Sequence, residues 1–396
     1  STLGLLKKLG VKIRSTKKFY EISGNGLNSY KYKKNLVINA GNSGTLGRLI
    51  LALLIKSPEK IKLIGDKSLS KRDFSRIIKP LNKFGATFFP KDKKTLPLFI
   101  KGTNFIRPIK YFENKGSAQC KTSVMLAALN SPGETIIKAK KSRNHTEILF
   151  KALKIPTKIT KTKKYDYITV TGKKQFYSFN YSIPSDISSS AFFIALALLT
   201  KDSSLIIKNV NINPTRTGVI SILNKMGAKI ILKNKKKYKG ELIADIYVKS
   251  KKYLKAINCP TKFNSSAIDE FLIIFLVAAK SKGISYFKNL EELNQKESKR
   301  LNWGAKILNM MGVKTILTNH SIKIYGQPNL ELNKNFIIKN YLKDHRIMAM
   351  CTIAALTLGG KWIIKDAESI KTSFPSFLKI VQKLGGKYIN EIKEKN

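Results

Sequence analysis

Only nine residues of this 396-residue chain are arginine: Arg14, Arg48, Arg72, Arg76, Arg107, Arg143, Arg216, Arg300 and Arg346. Lysine is plentiful, so Lys plus Arg reaches 75 against 24 for Asp plus Glu, a formal net charge of +51. Where lysine is this common, a retained arginine marks a place where a point charge would not serve. The planar guanidinium grips phosphate or carboxylate at two oxygens at once. Several of these arginines stand in polar, Gly/Ser-containing motifs next to apolar, helix-like runs. That pattern points to a site for a small, multiply anionic ligand, with ordinary surface ion pairs as the other reading.

Residues 39–54, NAGNSGTLGRLILALL, form a glycine-rich turn opening an amphipathic helix. Asn42, Ser43 and Thr45 can cap that helix, and Gly44 lets an anion approach its amides. Residues 65–81 place Ser68, Ser70, Lys71 and Arg72 just before another helix. Residues 116–129 carry Ser117, Ala118, Gln119 and Cys120 into a third. Cys120 reads either as a helix-start thiol of lowered pKa or as a small core residue. Ser142 and Arg143 open a fourth helix-like run. Farther on, Asp269 and Glu270 begin a very apolar helix, as caps or with one of them a base. Lys296, Glu297 and Arg300 fall within five residues, and on a helix Lys296 and Arg300 would share a face. Asp344, His345 and Arg346 lead into a buried helix, whereas residues 188–190 read as capping serines.

The elements that must position these residues repeat along the chain. An apolar helical turn, a Gly and a β-like run recur as LLKKLGVKI, LNKFGATFF, LNKMGAKII, LNMMGVKTI and VQKLGGKYI, with a degraded copy, LKIPTKI, at 153–159. The Gly suits a left-handed helix C′ position, and the alternation after it begins a strand. The spacing is roughly 70 to 85 residues, which gives about six units, each with room for two helices and three or four strands. The YSIPSD segment at 181–186 is the expected boundary, giving domains 1–184 and 185–396 of three units each, with a hinge and a cleft between them. The lysine-rich stretches 158–164 and 233–239 read as solvated loops or edge turns.

Composition removes other classes. The three cysteines (Cys120, Cys259, Cys351) are far apart, and the three histidines (His145, His320, His345) share no metal-ligand spacing with them. No P-loop, dinucleotide fingerprint or G-x-S-x-G elbow occurs. The longest apolar runs, 271–279 and 347–358, fall short of the roughly 18 to 20 residues that cross a bilayer. The scattered lysines match no nucleic-acid-binding motif, so no specific nucleic acid and no membrane is expected as partner.

Taken in order, GNSGTLGRL, GDKSLSKRDF, SAQCKTS, SRNHTE, PSDISSSAFF, NPTRTG, IDE, KESKR, DHRIMAM and SFPSF resemble the 5-enolpyruvylshikimate-3-phosphate synthase family over essentially the whole chain, closer to its class II branch. The resemblance implies an α/β fold of two inside-out domains, each of three βαβαββ repeats. It implies transfer of the enolpyruvyl group of phosphoenolpyruvate to the 5-hydroxyl of shikimate 3-phosphate, by a cytoplasmic monomer without metal or organic cofactor. Ser117, Ala118, Gln119, Arg143, Asp269 and Lys296 would contact shikimate 3-phosphate. Gly44, Arg72, Gln119, Arg300 and Arg346 would hold phosphoenolpyruvate. Asp269 would be the general base, and Glu297, or a Lys of the family's amino-terminal segment, a proton-transfer group. Three departures stand out: Lys299 where the family has Asp, Asn144 where its class usually has Asp, and no match to the family's amino-terminal Gly-Asp-Lys-Ser-x-Ser-x-Arg segment, whose Lys touches both substrates. The expectation is an incomplete amino terminus. Alternatives are the UDP-N-acetylglucosamine enolpyruvyl transferase of the same fold, which generally has a loop Cys absent from 65–74, and a basic nucleic-acid-binding repeat protein. RNA 3′-phosphate cyclase, also related in fold, would lack the KES and DHR motifs.

Overall fold

The computed structural model describes residues 2–172 and 177–389. The chain divides into two compact units, one of Ser1–Ser182 with Lys239–Glu241, the other of Ile183–Tyr238 and Leu242–Asn396.

The first unit opens with α1 (Thr2–Lys8) and an antiparallel hairpin, β1 (Lys12–Ser15) and β2 (Tyr20–Ser23). Then come β3 (Val37–Asn39), α2 (Gly44–Leu53), β4 (Ile61–Ile64), α3 (Ser75–Phe84), β5 (Thr87–Phe89) and β6 (Leu98–Lys101). Their sheet has the order β3-β4-β6-β5, with β3 parallel to β4 and the other pairs antiparallel. The same βαβαββ path recurs as β7 (Lys110–Glu113), α4 (Ala118–Ala128), β8 (Glu134–Lys140), α5 (His145–Ala152), β9 (Thr157–Lys161) and β10 (Tyr165–Thr171), in the order β7-β8-β10-β9.

The second unit begins with α6 (Ile187–Leu199), β11 (Ser204–Asn211), α7 (Gly218–Lys225), β12 (Lys229–Tyr238) and β13 (Glu241–Lys249). A parallel bridge from Ser185 to Val210 stands in for the first strand of this repeat. Next are β14 (Leu254–Lys255), α8 (Phe271–Ala279), β15 (Ser281–Phe287), α9 (Arg300–Met310), β16 (Thr315–Leu317) and β17 (Ile322–Gly326), in the order β14-β15-β17-β16. The parallel pair β18 (Leu332–Ile338) and β19 (Gly359–Ile364) flanks α10 (His345–Leu358), and α11 (Phe377–Lys383) follows.

Each unit is inside-out because of where its apolar residues lie. Helix α8 is apolar all round and buried at every position, as a helix enclosed by other elements must be. It packs against α6 and α10, and the three form the heart of one continuous core. The sheets lie outside, and β8 alternates exposed and buried residues as a strand with one wet face does.

The repeat junctions turn as the sequence implies. Gly10, Gly85, Gly227, Gly312 and Gly385 all have positive φ, from 80° to 113°. In the degraded copy Lys154 takes the same left-handed conformation at φ 56°. One expectation is corrected. The lysine-rich stretches fall largely on β9 and β12, which are edge strands rather than loops. Lysines on an edge keep it solvated and discourage pairing with another chain.

Candidate active site

In the first unit, Ser43 alone of the three candidate caps serves the start of α2, its hydroxyl accepting from the Leu46 amide at 3.1 Å. Gly44 is the first helical residue. A Cβ there would lie 2.9 Å from Arg72 Nη1, so the absent side chain is what lets that guanidinium reach the helix start. Arg72 itself follows a 3-10 turn at Leu69–Lys71, and α3 begins only at Ser75.

Ser117 caps α4 by accepting from the Cys120 amide at 3.3 Å, which brings Ala118 and Gln119 to the helix start. Gln119 Oε1 accepts from Arg48 Nη1 at 2.5 Å, and its Nε2 donates to Thr45 at 2.7 Å. The two anion motifs therefore meet through an amide. The lowered thiol pKa considered for Cys120 is not found: burial pushes it up, so it is a core thiol.

Arg143 precedes α5, and its carbonyl accepts from Lys121 Nζ at 2.9 Å. Lys121 is fully buried and also pairs with Glu147 at 2.5 Å. Next to this pair, the Thr122 and Thr146 hydroxyls are 2.6 Å apart, which fastens α4 to α5.

In the second unit the predicted residues gather around Arg300, which is 2% exposed. Its Nε donates to Asp344 Oδ2 at 2.9 Å, Nη1 to Asp269 Oδ1 at 3.2 Å, and Nη2 to Asp344 Oδ1 at 3.2 Å and to Glu297 Oε2. Four of five guanidinium hydrogens are thus spent on three carboxylates. Lys296 Nζ reaches the same Asp269 oxygen at 3.3 Å. Arg346 Nη1 donates to the Asp269 carbonyl at 2.9 Å. The five predicted residues Asp269, Lys296, Glu297, Arg300 and Arg346 are brought together here.

The local geometry corrects two expectations. Lys296 closes a 3-10 turn at Glu291–Gln295 and α9 starts at Arg300, so the two cations share a target rather than a helix face. Neither Asp269 nor Glu270 caps α8 with its side chain: Asp269 faces the cations, and Glu270 turns inward to Ser188. Ser188 is likewise no cap, since Asp186 caps α6 by accepting from the Ser189 amide at 2.9 Å.

Electrostatics follow from this packing. Burial works against the Asp344 carboxylate, but Arg300 beside it holds its pKa below the usual range. Asp344 also caps α10, through the Arg346 amide at 3.0 Å. Burial and the adjacent Arg346 push His345 down to about 4, so its imidazole is neutral at physiological pH.

The sequence assigns no role to Arg48, Lys121, Glu147 or Asp344, and reads Thr45 only as a candidate helix cap. Arg48 carried a signal as one of the nine arginines, and Asp344 carried one as an acid directly before an apolar helix. Lys121 carried none, because one lysine in so many is inconspicuous.

The inside-out arrangement of βαβαββ repeats is an enolpyruvyl transferase fold. The enolpyruvyl transferase NikO from Streptomyces tendae superposes with a TM-score of 0.73 at 12% identity, over 97% of this chain and 86% of that one. EPSP synthase from Acinetobacter baumannii superposes at 0.83 with 34% identity, over 96% of this chain and 86% of that one. In sequence, 3-phosphoshikimate 1-carboxyvinyltransferase from Ruthia magnifica subsp. Calyptogena magnifica is 39% identical over 97% of this chain and 86% of its own length. Its counterpart from Thermoanaerobacter sp. (strain X514) is 36% identical over 96% and 87%. The family model for EPSP synthase (3-phosphoshikimate 1-carboxyvinyltransferase) matches residues 1–381, and the chain belongs to that family. Neither the UDP-N-acetylglucosamine reading nor the nucleic-acid reading is favoured by these relatives.

Proposed function

We propose that this chain is a 3-phosphoshikimate 1-carboxyvinyltransferase, which moves the enolpyruvyl group of phosphoenolpyruvate onto the 5-hydroxyl of shikimate 3-phosphate and releases phosphate. The observation that carries the reading is the Arg300 cluster, where a carboxylate suited to each proton transfer, Asp269 and Glu297, meets the same guanidinium. The reaction needs one proton taken from a hydroxyl and one given to a carbon. Asp269 takes the proton of the 5-hydroxyl as its oxygen attacks C2 of phosphoenolpyruvate. Glu297 delivers a proton to C3. Loss of phosphate, with C3 returning its proton to Glu297 and the proton held by Asp269 leaving with the phosphate, restores the enol ether. Lys296 and Arg300, both paired with Asp269, orient its carboxyl.

Ser117, Ala118, Gln119 and Arg143 are assigned to shikimate 3-phosphate, with Lys296. Gly44, Arg72, Gln119, Arg300 and Arg346 are assigned to phosphoenolpyruvate, whose carboxylate and phosphate call for a cationic cradle. We read the protein as a cytoplasmic monomer; among the described residues no helix is long and apolar enough to cross a membrane.

Asp269→Asn tests the assignment. Asn keeps the shape and a hydrogen bond but takes no proton, so turnover should fall about 10²- to 10⁴-fold with KM for shikimate 3-phosphate little changed. Near-normal turnover would remove Asp269 from the chemistry.

A further inference from the structure

Two motifs of the second unit, PSDISSSAFF and NPTRTG, take no part in the assignment above, yet they converge on the residue next to Asp269. Asp186 accepts from Arg216 Nη2 at 2.9 Å. The same nitrogen donates to Ser188 Oγ at 2.6 Å. Ser188 then spends its own hydrogen on Glu270 Oε1. Ser188 and Glu270 are each 1% exposed, and Glu270 Oε2 is buried with no hydrogen-bond partner. This carboxyl neither caps its helix nor joins an ion pair among the described residues. A buried acid that does neither of the usual things needs another reason to be there.

The backbone supplies one. On one side of the Asp269–Glu270 peptide, the Asp269 carbonyl accepts from Arg346 Nη1 at 2.9 Å. On the other, the Glu270 amide donates to the Ala267 carbonyl at 2.9 Å and its side chain is tied to Ser188. Ser188 and Asp186 belong to the start of α6, Glu270 to the start of α8, and Arg346 to the first turn of α10. One polar chain therefore links three helix starts and passes through the peptide that carries the proposed base.

We propose that Glu270 is a positioning residue: anchored through Ser188 to Arg216, it fixes the Asp269–Glu270 peptide and with it the aim of the Asp269 carboxyl and the Arg346 guanidinium. The inference rests on the roles given to Asp269 and Arg346 above. Burial, and after it the neighbouring Asp269 charge, raise the Glu270 pKa and favour its neutral form. A neutral acid suits an anchor that works by hydrogen bonding and shape.

The test compares Glu270→Ala, Glu270→Gln and Ser188→Ala in steady-state kinetics with both substrates. Glu270→Ala should lower kcat at least about tenfold and raise KM for phosphoenolpyruvate, since small misplacement of reacting groups is costly. Glu270→Gln keeps the shape and an oxygen for Ser188, and should restore both constants to within about threefold of the parent. Ser188→Ala should shift the constants in the same direction as Glu270→Ala, and the double variant should be no worse than Glu270→Ala alone, because both break one chain. If Glu270→Ala does not fold, Ser188→Ala, which removes a single hydroxyl, carries the test. Loss of thermal stability with unchanged kcat and KM in these variants would overturn the proposal, as would a Gln variant as impaired as the Ala variant. Asp269→Asn run in parallel separates the two readings. Near-normal turnover there defeats the assigned chemistry, whereas a large loss there beside unaltered Ser188→Ala and Glu270→Ala kinetics defeats only the anchor.

Discussion

Lys121 in the first unit and Arg300 in the second are both buried cations, and their surroundings differ. Lys121 meets one carboxylate, Glu147, and one backbone carbonyl, that of Arg143. Arg300 meets three carboxylates. An ammonium is a compact charge whose hydrogens rotate to suit, so it can hold a turn in place. A guanidinium is a rigid fork that sets several acids at fixed angles to one another. The first arrangement suits the support of a binding residue. The second suits a site where protons move, because it gathers acids that would otherwise repel. In a chain of net charge +51 with only 24 acids, three around one arginine is a marked concentration.

The largest expected effect comes from removing the fork. Arg300→Met leaves three carboxylates without their buried counter-charge and should cost about 3 to 5 kcal/mol, read from urea denaturation. A midpoint close to the parent would show that the acids reprotonate or rehydrate easily and that Arg300 is no structural hub.

Lys121→Met should cost a similar amount, about 3 to 5 kcal/mol, by stranding Glu147. The comparison sharpens in the double variant Lys121→Met/Glu147→Leu. Removing both partners should recover most of that loss, yet shikimate 3-phosphate should still bind more weakly, because the Arg143 carbonyl has lost its donor. Calorimetry showing parental affinity in the stable double variant would reduce Lys121 to packing.

The folded pKa of His345, at about 4, lies below its ordinary value of 6.5. Its neutral form is therefore the one the fold favours. The stability it contributes is complete above about 6.5 and is lost as pH falls through the folded value near 4. His345→Gln should flatten the fall in unfolding free energy across that window. An unchanged profile would move the acid sensitivity to other groups.

The smallest effect is a gain. Lys299 holds the N-cap position of α9 without a side-chain cap and places a positive charge at the positive end of the helix. Lys299→Asp should stabilise by about 0.5 to 2 kcal/mol in thermal melts. A loss would mean that the added carboxylate repels Glu297 and Asp344 more than it caps.

Much of the architecture was legible in the chain because its signals are local. A helix end followed by Gly and a strand depends on a few neighbouring residues, and it recurs at Gly10, Gly85, Gly227, Gly312 and Gly385. The apolar run at 271–279 became α8 with the same limits. The misreadings came where residue type or spacing was read without the pairing or helix limit that decides it. Residues 158–164 looked like a loop because lysine is polar, but pairing with β10 makes most of that stretch a strand. Lys296 and Arg300 looked like one helix face from spacing, but the helix starts only at Arg300.

The sequence by itself determined the repeat, which scarce arginines to watch, and the ordered motifs whose resemblance implied the family and its βαβαββ order, since each is written in residue types at short range. The tertiary structure alone decided that Arg300 serves three acids, that Glu270 turns inward to Ser188, and that a lysine like any other, Lys121, is buried against Glu147. The partners in these contacts are up to 82 residues apart. Ion pairs and hydrogen bonds of this kind follow from how the packed helices bring distant side chains together, and local pattern carries no record of it.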